Sequence, residues 1–180
     1  MFYTRKGDDG YTSLLGKGRY PKEDERFEAL GAVDELTSIL GFARSLCKAP
    51  EIAEILINVQ RHLYLLMSEL AATEEQASKF RNISDDHVAW LEQTLEEVRQ
   101  LVEIPEEFIV PGDSVSGAVL DMSRTATRRA ERRTAALFHK ALVSNNTLRY
   151  LNRLSSLCYI LELREYQFEG KDRPTLVIPL

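Results

Sequence analysis

Apolar residues recur every three or four positions over five long stretches of the chain, the spacing of helices that bury one side. The stretches span about 28–46, 51–72, 85–104, 115–142 and 147–166. Helices with short links and no alternating strand pattern bury their apolar sides against one another. The pattern predicts an all-α, up-and-down five-helix bundle in a single domain (1–180), with the bundle at 28–166, a glycine-rich loop and link at 1–27 and an extended tail at 167–180.

The fourth helix follows Ser114 and carries five arginines. Drawn at 100° per residue, one side is an apolar stripe of Val115, Val119, Met122, Ala126 and Ala130. The opposite side consists of Arg124, Arg128, Glu131 and Arg132. That side repels itself, and a bound phosphate or carboxylate would relieve the repulsion because guanidinium groups bind both. The helix therefore favours an anion-binding or ion-paired interface, and a solvated face with intrahelical ion pairs is the alternative.

The first 19 residues contain four of the nine glycines, interleaved with hydroxyl and basic side chains. Glycines let a backbone approach phosphates closely and turn its N–H groups towards them. This stretch is therefore a candidate phosphate loop, with a mobile and functionless tail as the alternative. It is not a Walker motif, because five residues separate Gly10 from Gly16 where four are required, and Gly18 replaces the Ser or Thr that would hold magnesium.

A strip of small residues on the first helix surrounds one carboxylate. Gly31, Asp34, Ser38 and Gly41 lie at i, i+3, i+7 and i+10, on one side of the helix. Small residues allow another backbone or side chain to come close. We therefore expect Asp34 to be paired across a contact, and the alternative is an ordinary surface aspartate.

Composition and charge narrow the function classes. The net charge of −5 disfavours nonspecific binding to nucleic acid or to anionic membranes, which needs a broad basic surface. The N-terminus has no signal-peptide pattern, and Cys47 and Cys158 are expected to be buried, reduced thiols, so we expect a cytoplasmic protein. The three histidines lie far apart, and the sequence predicts no protein-built metal site.

Six pieces of the chain match one known family in order: TRKGDDGYTS (4–13), Pro21-Lys22, FEALGAVDELTSILGFAR (27–44), FIVPG (108–112), SRTATRRAERR (123–133) and RYLNRLS (149–155). With these pieces the chain resembles the PduO-type ATP:cob(I)alamin adenosyltransferases over nearly its whole length. A single piece would be a weak signal, but six in register are a strong one.

The resemblance implies a ferritin-like bundle that assembles as a homotrimer, with ATP and corrinoid bound between neighbouring subunits. It implies transfer of the 5′-deoxyadenosyl group of ATP to cob(I)alamin, which forms adenosylcobalamin and releases triphosphate, with Mg²⁺ present. A cob(II)alamin reductase and an adenosylcobalamin-dependent enzyme are the expected protein partners. Two alternatives remain: a non-catalytic bundle that senses ATP or carries corrinoid, and a purely structural bundle.

Carried over residue by residue, the resemblance implies an ATP site on the glycine-rich loop, the link after it and the last two helices. Its residues are Thr4, Arg5, Lys6, Gly7, Thr12, Ser13, Lys22, Arg128, Arg129, Ala130, Glu131, Arg132 and Asn152. Arg124 is expected to pair with Asp34 across the subunit boundary, and Phe108 to close the pocket under the corrin ring. These three and Arg128 are the expected catalytic residues, with core packing as the alternative for Phe108.

Two positions beside the expected site depart from the family pattern. Asp113 stands where many relatives have a second glycine, and Ser156 stands where an aspartate is usual. Neither change removes a nucleotide-binding residue. The departures therefore leave the expected chemistry intact and bear on affinity or on corrinoid preference.

Overall fold

The helical pattern of the sequence reappears in the structure, a computed structural model that describes residue 3, residues 5–171 and residues 173–177. The helices are α1 (Glu25–Leu46), α2 (Pro50–Leu70), α3 (Ala77–Phe80), α4 (Asp85–Arg99), α5 (Val115–Phe138) and α6 (Asn145–Phe168). Strands β1 (Tyr11–Thr12) and β2 (Tyr20–Pro21) pair antiparallel. The predicted all-α bundle of five long helices is confirmed. The sequence did not predict α3 or the strands, because elements of two to four residues are too short to show a periodic pattern.

Polar residues begin three of the long helices, and of these only Ser114 stands at a predicted helix start. The side chains of Asp24, Ser114 and Ser144 each accept a hydrogen bond from a backbone N–H in the first turn of α1, α5 and α6. Such caps satisfy N–H groups that have no partner inside the helix. Helix α2 instead begins at Pro50, where the missing N–H and the fixed φ of proline suit the first turn.

Two buried carboxylates link helix ends that are distant in sequence. Glu165 of α6 accepts hydrogen bonds from the backbone N–H groups of Lys48 and Ala49, at 2.9 and 2.8 Å, just before α2. Glu69 near the end of α2 accepts from the Ser144 N–H at 2.5 Å and from the Thr147 hydroxyl at 2.6 Å, at the start of α6. Each carboxylate holds together two helices of the bundle.

We predict that Glu69→Ala lowers the free energy of unfolding by about 2–3 kcal/mol, because it leaves buried donors at the start of α6 without an acceptor. Chemical denaturation of both proteins measures the difference. The matched control is Glu54→Ala, an exposed glutamate of the same helix whose side chain has no polar partner among the described residues. Equal stabilities of the two variants would contradict the role given to Glu69.

The apolar stripe predicted on α5 is only partly buried. Val119, Ala126 and Ala130 lie in the core, but Val115 is 69% exposed and Met122 is 52% exposed, so the prediction was wrong for these two residues. The cause is that α5 packs against both α1 and α6, so its buried surface spans two directions instead of one. That surface includes small and polar residues that an apolar pattern does not reveal: Ser116, Gly117, Ser123, Thr127 and Thr134.

Ion pairs mark the antiparallel register of α1 and α5. Arg129 of α5 pairs with Glu35 of α1, Arg133 pairs with Glu28 at 3.4 Å, and Lys140 beyond α5 pairs with Glu25 at 2.6 Å. All of these side chains are about half exposed, so each pair adds little stability. Their value here is geometric, because they show which levels of the two helices lie side by side.

The long link between α4 and α5 pairs with the end of the chain. Ile109 bridges Leu176 in antiparallel fashion, and α6 continues to Phe168, two residues into the predicted tail. None of the helices in the described part of the chain is long and apolar enough to cross a membrane.

Candidate functional site

The glycine-rich loop is folded around Lys22. The Lys22 Nζ atom donates to the Gly7 carbonyl at 2.7 Å, and the Lys22 backbone N–H donates to the Gly10 carbonyl at 2.9 Å. A Cβ atom on Gly7 would lie 3.1 Å from Nζ, a tight contact that a shift of a few tenths of an ångström at the end of the lysine would relieve. Two pieces that the sequence assigned to one nucleotide site, Gly7 and Lys22, are therefore in contact.

Arg19 also organises the loop, and sequence reasoning missed it. Its guanidinium donates to both carboxylate oxygens of Asp9, at 2.8 and 2.6 Å, and to the carbonyls of Lys6 and Tyr11. The hydrogen bond from Arg19 lowers the pKa of Asp9 to about 2. The sequence offered one signal for this role. Arg19 follows Gly18 in a loop that also contains Asp9, a carboxylate with which an arginine can pair.

The end of the loop is docked on the end of α2. The Leu15 N–H donates to the Ala71 carbonyl at 2.6 Å, and the Thr73 N–H donates to the Leu15 carbonyl at 3.2 Å. A Cβ atom on Gly16 would lie 2.2 Å from Thr73 Oγ1, so the loop meets Thr73 through a residue without a side chain. These contacts argue against a free tail at residues 14–22. Among the other predicted ligands, Arg5, Lys6 and Ser13 are exposed and Thr12 is half-buried, whereas Thr4 lies outside the described residues.

The arginine face of α5 is partly paired and partly open. Arg129 pairs with Glu35. Arg128 and Arg132 are exposed, and their guanidinium groups have no polar partner among the described residues. The face therefore offers two uncompensated cations on adjacent turns, which an anion would neutralise.

Helix α6 adds polar groups beside this face. Asn152 donates to Glu131 at 2.8 Å, and the Asn152 oxygen accepts from Arg153 at 2.8 Å. Ala130 is fully buried, so its side chain points to the core instead of to the open arginines. The structure thus brings Asn152 and Glu131 together, as the resemblance implied for a single site.

Phe108 stands at the edge of an open groove on the same side of α5. It is 86% exposed, which argues against its packing in the core. The groove has a volume of about 470 Å³ and is lined by Ile104, Pro105, Glu106, Glu107, Phe108, Ile109, Pro111, Asp121, Arg124 and Tyr159. A second hollow of about 290 Å³ shares Arg124 and Tyr159 and reaches Arg128 and Ser156. Arg124 therefore borders both hollows, between Phe108 and the open arginines.

Within one copy the structure does not bring Arg124 and Asp34 together. Arg124 pairs with Asp121 one turn away, at 2.7 Å. Asp34 is exposed, and its carboxylate has no partner in the described part of the chain. Likewise, none of the hydrogen bonds and ion pairs of residues 7–22 reaches α5. The contacts expected between subunits stay predictions.

A buried carboxyl group lies behind the Phe108 groove, and sequence reasoning missed it as well. Glu162 of α6 accepts a hydrogen bond from the Tyr166 hydroxyl at 2.8 Å, while its second oxygen has no partner in the described structure. Burial raises the pKa of Glu162 to about 7, and nearby Asp121 adds to the rise, against the opposing effects of Tyr166 and Arg124. The signal in the sequence was a glutamate at a position of α6 where the helical spacing of the leucines predicts a buried residue.

The raised pKa of Glu162 predicts that the free energy of unfolding depends on pH. Its pKa is near 4.5 in the unfolded chain and about 7 when folded, so the unfolded state ionises first and stability falls as pH rises between these values. The loss is at most about 3 kcal/mol. Glu162→Gln cannot ionise and should gain stability relative to the parent protein between pH 5 and pH 8, as measured by denaturation at both values. A constant difference between the two proteins would contradict the assignment.

The two cysteines and the histidines form no metal site in the part of the chain described, although the His62 and His87 rings, distant in sequence, pack edge to face with centroids 4.6 Å apart. Cys47 and Cys158 are free thiols, and burial raises the pKa of each to about 12. No group of three or more His, Cys, Asp or Glu side chains among the described residues is arranged to hold a metal ion.

Fold and site define a helical bundle with an open arginine face that adjoins an apolar groove. Residues 2–165 match the family model described as cobalamin adenosyltransferase, and the chain belongs to this family. The family predicted from the sequence is thereby confirmed.

The chain is similar to curated members of the family. It is 38% identical to the corrinoid adenosyltransferase PduO of Citrobacter freundii, over 91% of this chain and 49% of that protein. It is also 38% identical to a corrinoid adenosyltransferase of Bacillus subtilis, over 85% of this chain and 80% of that protein. The chain thus spans about half the length of the first relative and most of the second.

Solved structures share the fold throughout. A variant PduO-type ATP:corrinoid adenosyltransferase from Lactobacillus reuteri complexed with ATP superposes with a TM-score of 0.90 at 29% identity, covering 98% of this chain and all of that chain. A further variant from the same organism, complexed with cobalamin and ATP, gives a TM-score of 0.91 at 28% identity, covering 99% of this chain and all of that chain.

Proposed function

We propose that the chain transfers the 5′-deoxyadenosyl group of ATP to cob(I)alamin, which yields adenosylcobalamin and triphosphate. The observation that carries the proposal is the position of Arg124, which borders both the Phe108 groove and the hollow that reaches Arg128. A corrinoid in the groove and a polyphosphate on the open arginines would then be neighbours. Membership of the family and the likeness to structures complexed with ATP and cobalamin support this reading.

The reaction asks for charge stabilisation more than for acid–base groups. Cobalt of cob(I)alamin supplies an electron pair to C5′ of ATP, the C5′–O bond breaks, and its electron pair leaves with the triphosphate. Arg128 and Arg132, which have no carboxylate partner in the described chain, are suited to stabilise that growing negative charge. Lys6 and Lys22 would hold the same phosphates from the loop. Mg²⁺ would enter on the triphosphate, whose oxygens it prefers as ligands.

A second copy of the chain would complete the site, and we expect a homotrimer. Glu35 and Arg129 lie side by side. Phe42 is seven residues after Glu35, and Met122 is seven residues before Arg129. Seven residues are about two helical turns, so Phe42 and Met122 lie at the same level of the antiparallel helices and on the same outer side. Both are more than half exposed. This apolar surface, together with the uncovered strip around Asp34, is suited to contact between subunits.

Subunit contact would change the partners of the charged groups. Arg124, held by Asp121 within one copy, would gain the Asp34 carboxylate of a neighbour, in accordance with the resemblance. The glycine-rich loop of that neighbour would meet the open arginines. ATP would then be bound between two copies.

Phe108 would close the lower face of the corrin ring. An apolar side chain there excludes water and the displaced base from the axial position, which makes cobalt easier to reduce. Phe108 is exposed in the single chain, as expected of a side chain that a bound ligand would cover. A cob(II)alamin reductase and an adenosylcobalamin-dependent enzyme are the protein partners this chemistry implies, and the cytoplasmic location stays a prediction.

The alternative is a bundle that binds ATP as a sensor, or corrinoid as a carrier, without turnover. An exposed aromatic beside an open groove favours the enzyme over the ATP sensor, because ATP binding alone does not need it. Anaerobic mixing of the protein with ATP, Mg²⁺ and chemically reduced cobalamin, followed by absorbance, distinguishes the readings. Growth of adenosylcobalamin supports the enzyme. ATP binding without product would give the sensor or carrier reading priority.

Arg128→Ala should lower kcat/KM by about a hundredfold or more, as loss of a charge-stabilising donor does. The fold should survive, because the side chain is exposed and has no polar partner among the described residues. Circular dichroism provides that check. The matched control is Arg133→Ala, an exposed arginine of the same helix that pairs with Glu28 and should change activity little. Equal losses in the two variants would remove the special role of Arg128.

Asp34→Asn should weaken activity through the subunit contact. The variant keeps the size of the side chain and loses the charge that would face Arg124. Sedimentation at decreasing protein concentration should show smaller species at concentrations where the parent protein stays assembled, with turnover falling in parallel. Unchanged assembly and unchanged turnover would show that the small-residue strip is not a contact.

A further inference from the structure

Residues 175–177 form a clip on residues 108–113, the Phe108 segment. The Val110 N–H donates to the Thr175 carbonyl at 2.7 Å, and the Val177 N–H donates to the Phe108 carbonyl at 2.7 Å. These bonds flank the bridge between Ile109 and Leu176. The backbone of Phe108 is therefore held directly by the tail, while its ring stays exposed.

Asp113 fastens this clip. Its Oδ2 atom accepts from the Thr175 N–H at 2.7 Å, and its Oδ1 atom accepts from the Thr175 hydroxyl at 2.8 Å. Thr175 thus makes three hydrogen bonds to the Phe108 segment: two to Asp113 and one to Val110. Hydrogen bonds to an ionised carboxylate are among the stronger ones in proteins. A pairing of three residues has little stability by itself, and the hydrogen bonds to the Asp113 carboxylate stabilise it.

The opposite side of the segment is anchored to the bundle. The Gly112 N–H donates to the Tyr166 hydroxyl at 3.3 Å, and that hydroxyl donates to buried Glu162. Gly112 has a φ of +127°, a conformation that glycine adopts more readily than other residues. The Phe108 segment is therefore fixed from two sides, by the tail and by α6.

We propose that Asp113 and Thr175 are positioning residues for the corrinoid reaction: through the clip they hold Phe108 in the orientation in which it meets the ring. The proposal rests on the function proposed above. It also gives a role to Asp113, which the resemblance marked as a departure from the family pattern. Holding a group in place before binding lowers the cost of ordering it during the reaction.

The test compares Asp113→Ala with the conservative variant Thr175→Ser, which keeps the hydroxyl. In Asp113→Ala the KM for cob(I)alamin should rise about tenfold or more, because the variant loses both hydrogen bonds that Asp113 accepts and each hydrogen bond to a charged group is worth at least that factor, while the KM for ATP changes less than twofold. Thr175→Ser should behave as the parent protein does. The fraction of bound cob(II)alamin that lacks a lower axial ligand, read from its absorbance spectrum with ATP present, should fall in Asp113→Ala.

Backbone amide exchange gives a readout that does not depend on activity. The Val110 and Val177 amides should exchange about tenfold faster in Asp113→Ala. Protected amides would show that Asp113 does not hold the clip, and faster exchange with unchanged kinetics and spectrum would show that the clip is structural only. Equal increases in both KM values would also overturn the positioning role. If the parent protein were inactive, both the proposed function and the positioning role would be wrong. The exchange experiment would still show whether Asp113 holds the clip.

Discussion

Helix α5 must be buried on two sides while it carries arginines on a third. Small residues make this possible: a Cβ atom on Gly117 would lie 2.3 Å from the Tyr166 ring, so only glycine lets α6 approach this closely. With two sides covered, Arg128 and Arg132 are confined to one open strip where little can neutralise them. The packing of α5 against α1 and α6 therefore leaves these arginines on the side of the helix that stays open.

The acidic residues of the bundle play two different parts. Glu69 and Glu165 are buried, and each accepts at least one backbone N–H at the start of another helix, so hydrogen bonds offset part of the cost of desolvation. Glu162 and Glu165 each keep one buried oxygen without a partner among the described residues, but Glu162 accepts only from the Tyr166 hydroxyl, and burial raises its pKa to about 7. The first two hold helix ends together, whereas the third lies under the segment that presents Phe108. A buried glutamate within an apolar helix pattern can therefore stabilise the fold or border a site. The groups that donate hydrogen bonds to it distinguish the two roles.

Residue types alone predicted a clustered anion site on α5, and the individual residues of the ATP site were predicted through the family resemblance. Lys22 and Gly7 were assigned to one site, and they are in contact. Arg19 was missed because its importance comes from Asp9 and two carbonyls that meet only when the loop folds. Val115 and Met122 were assigned to the core because a single stripe was assumed, and a helix packed against two neighbours does not follow one stripe.

The amino-acid sequence by itself determined the five long helices, the arginine face and the family, because periodicity, composition and motif order are properties of the chain alone. Only the tertiary structure decided that Arg124 borders two hollows, that Glu162 is buried behind the groove and that Asp113 binds Thr175, 62 residues away. The physical reason is that hydrogen bonds and burial between distant segments depend on how the helices and loops pack. No local spacing in the sequence records that packing.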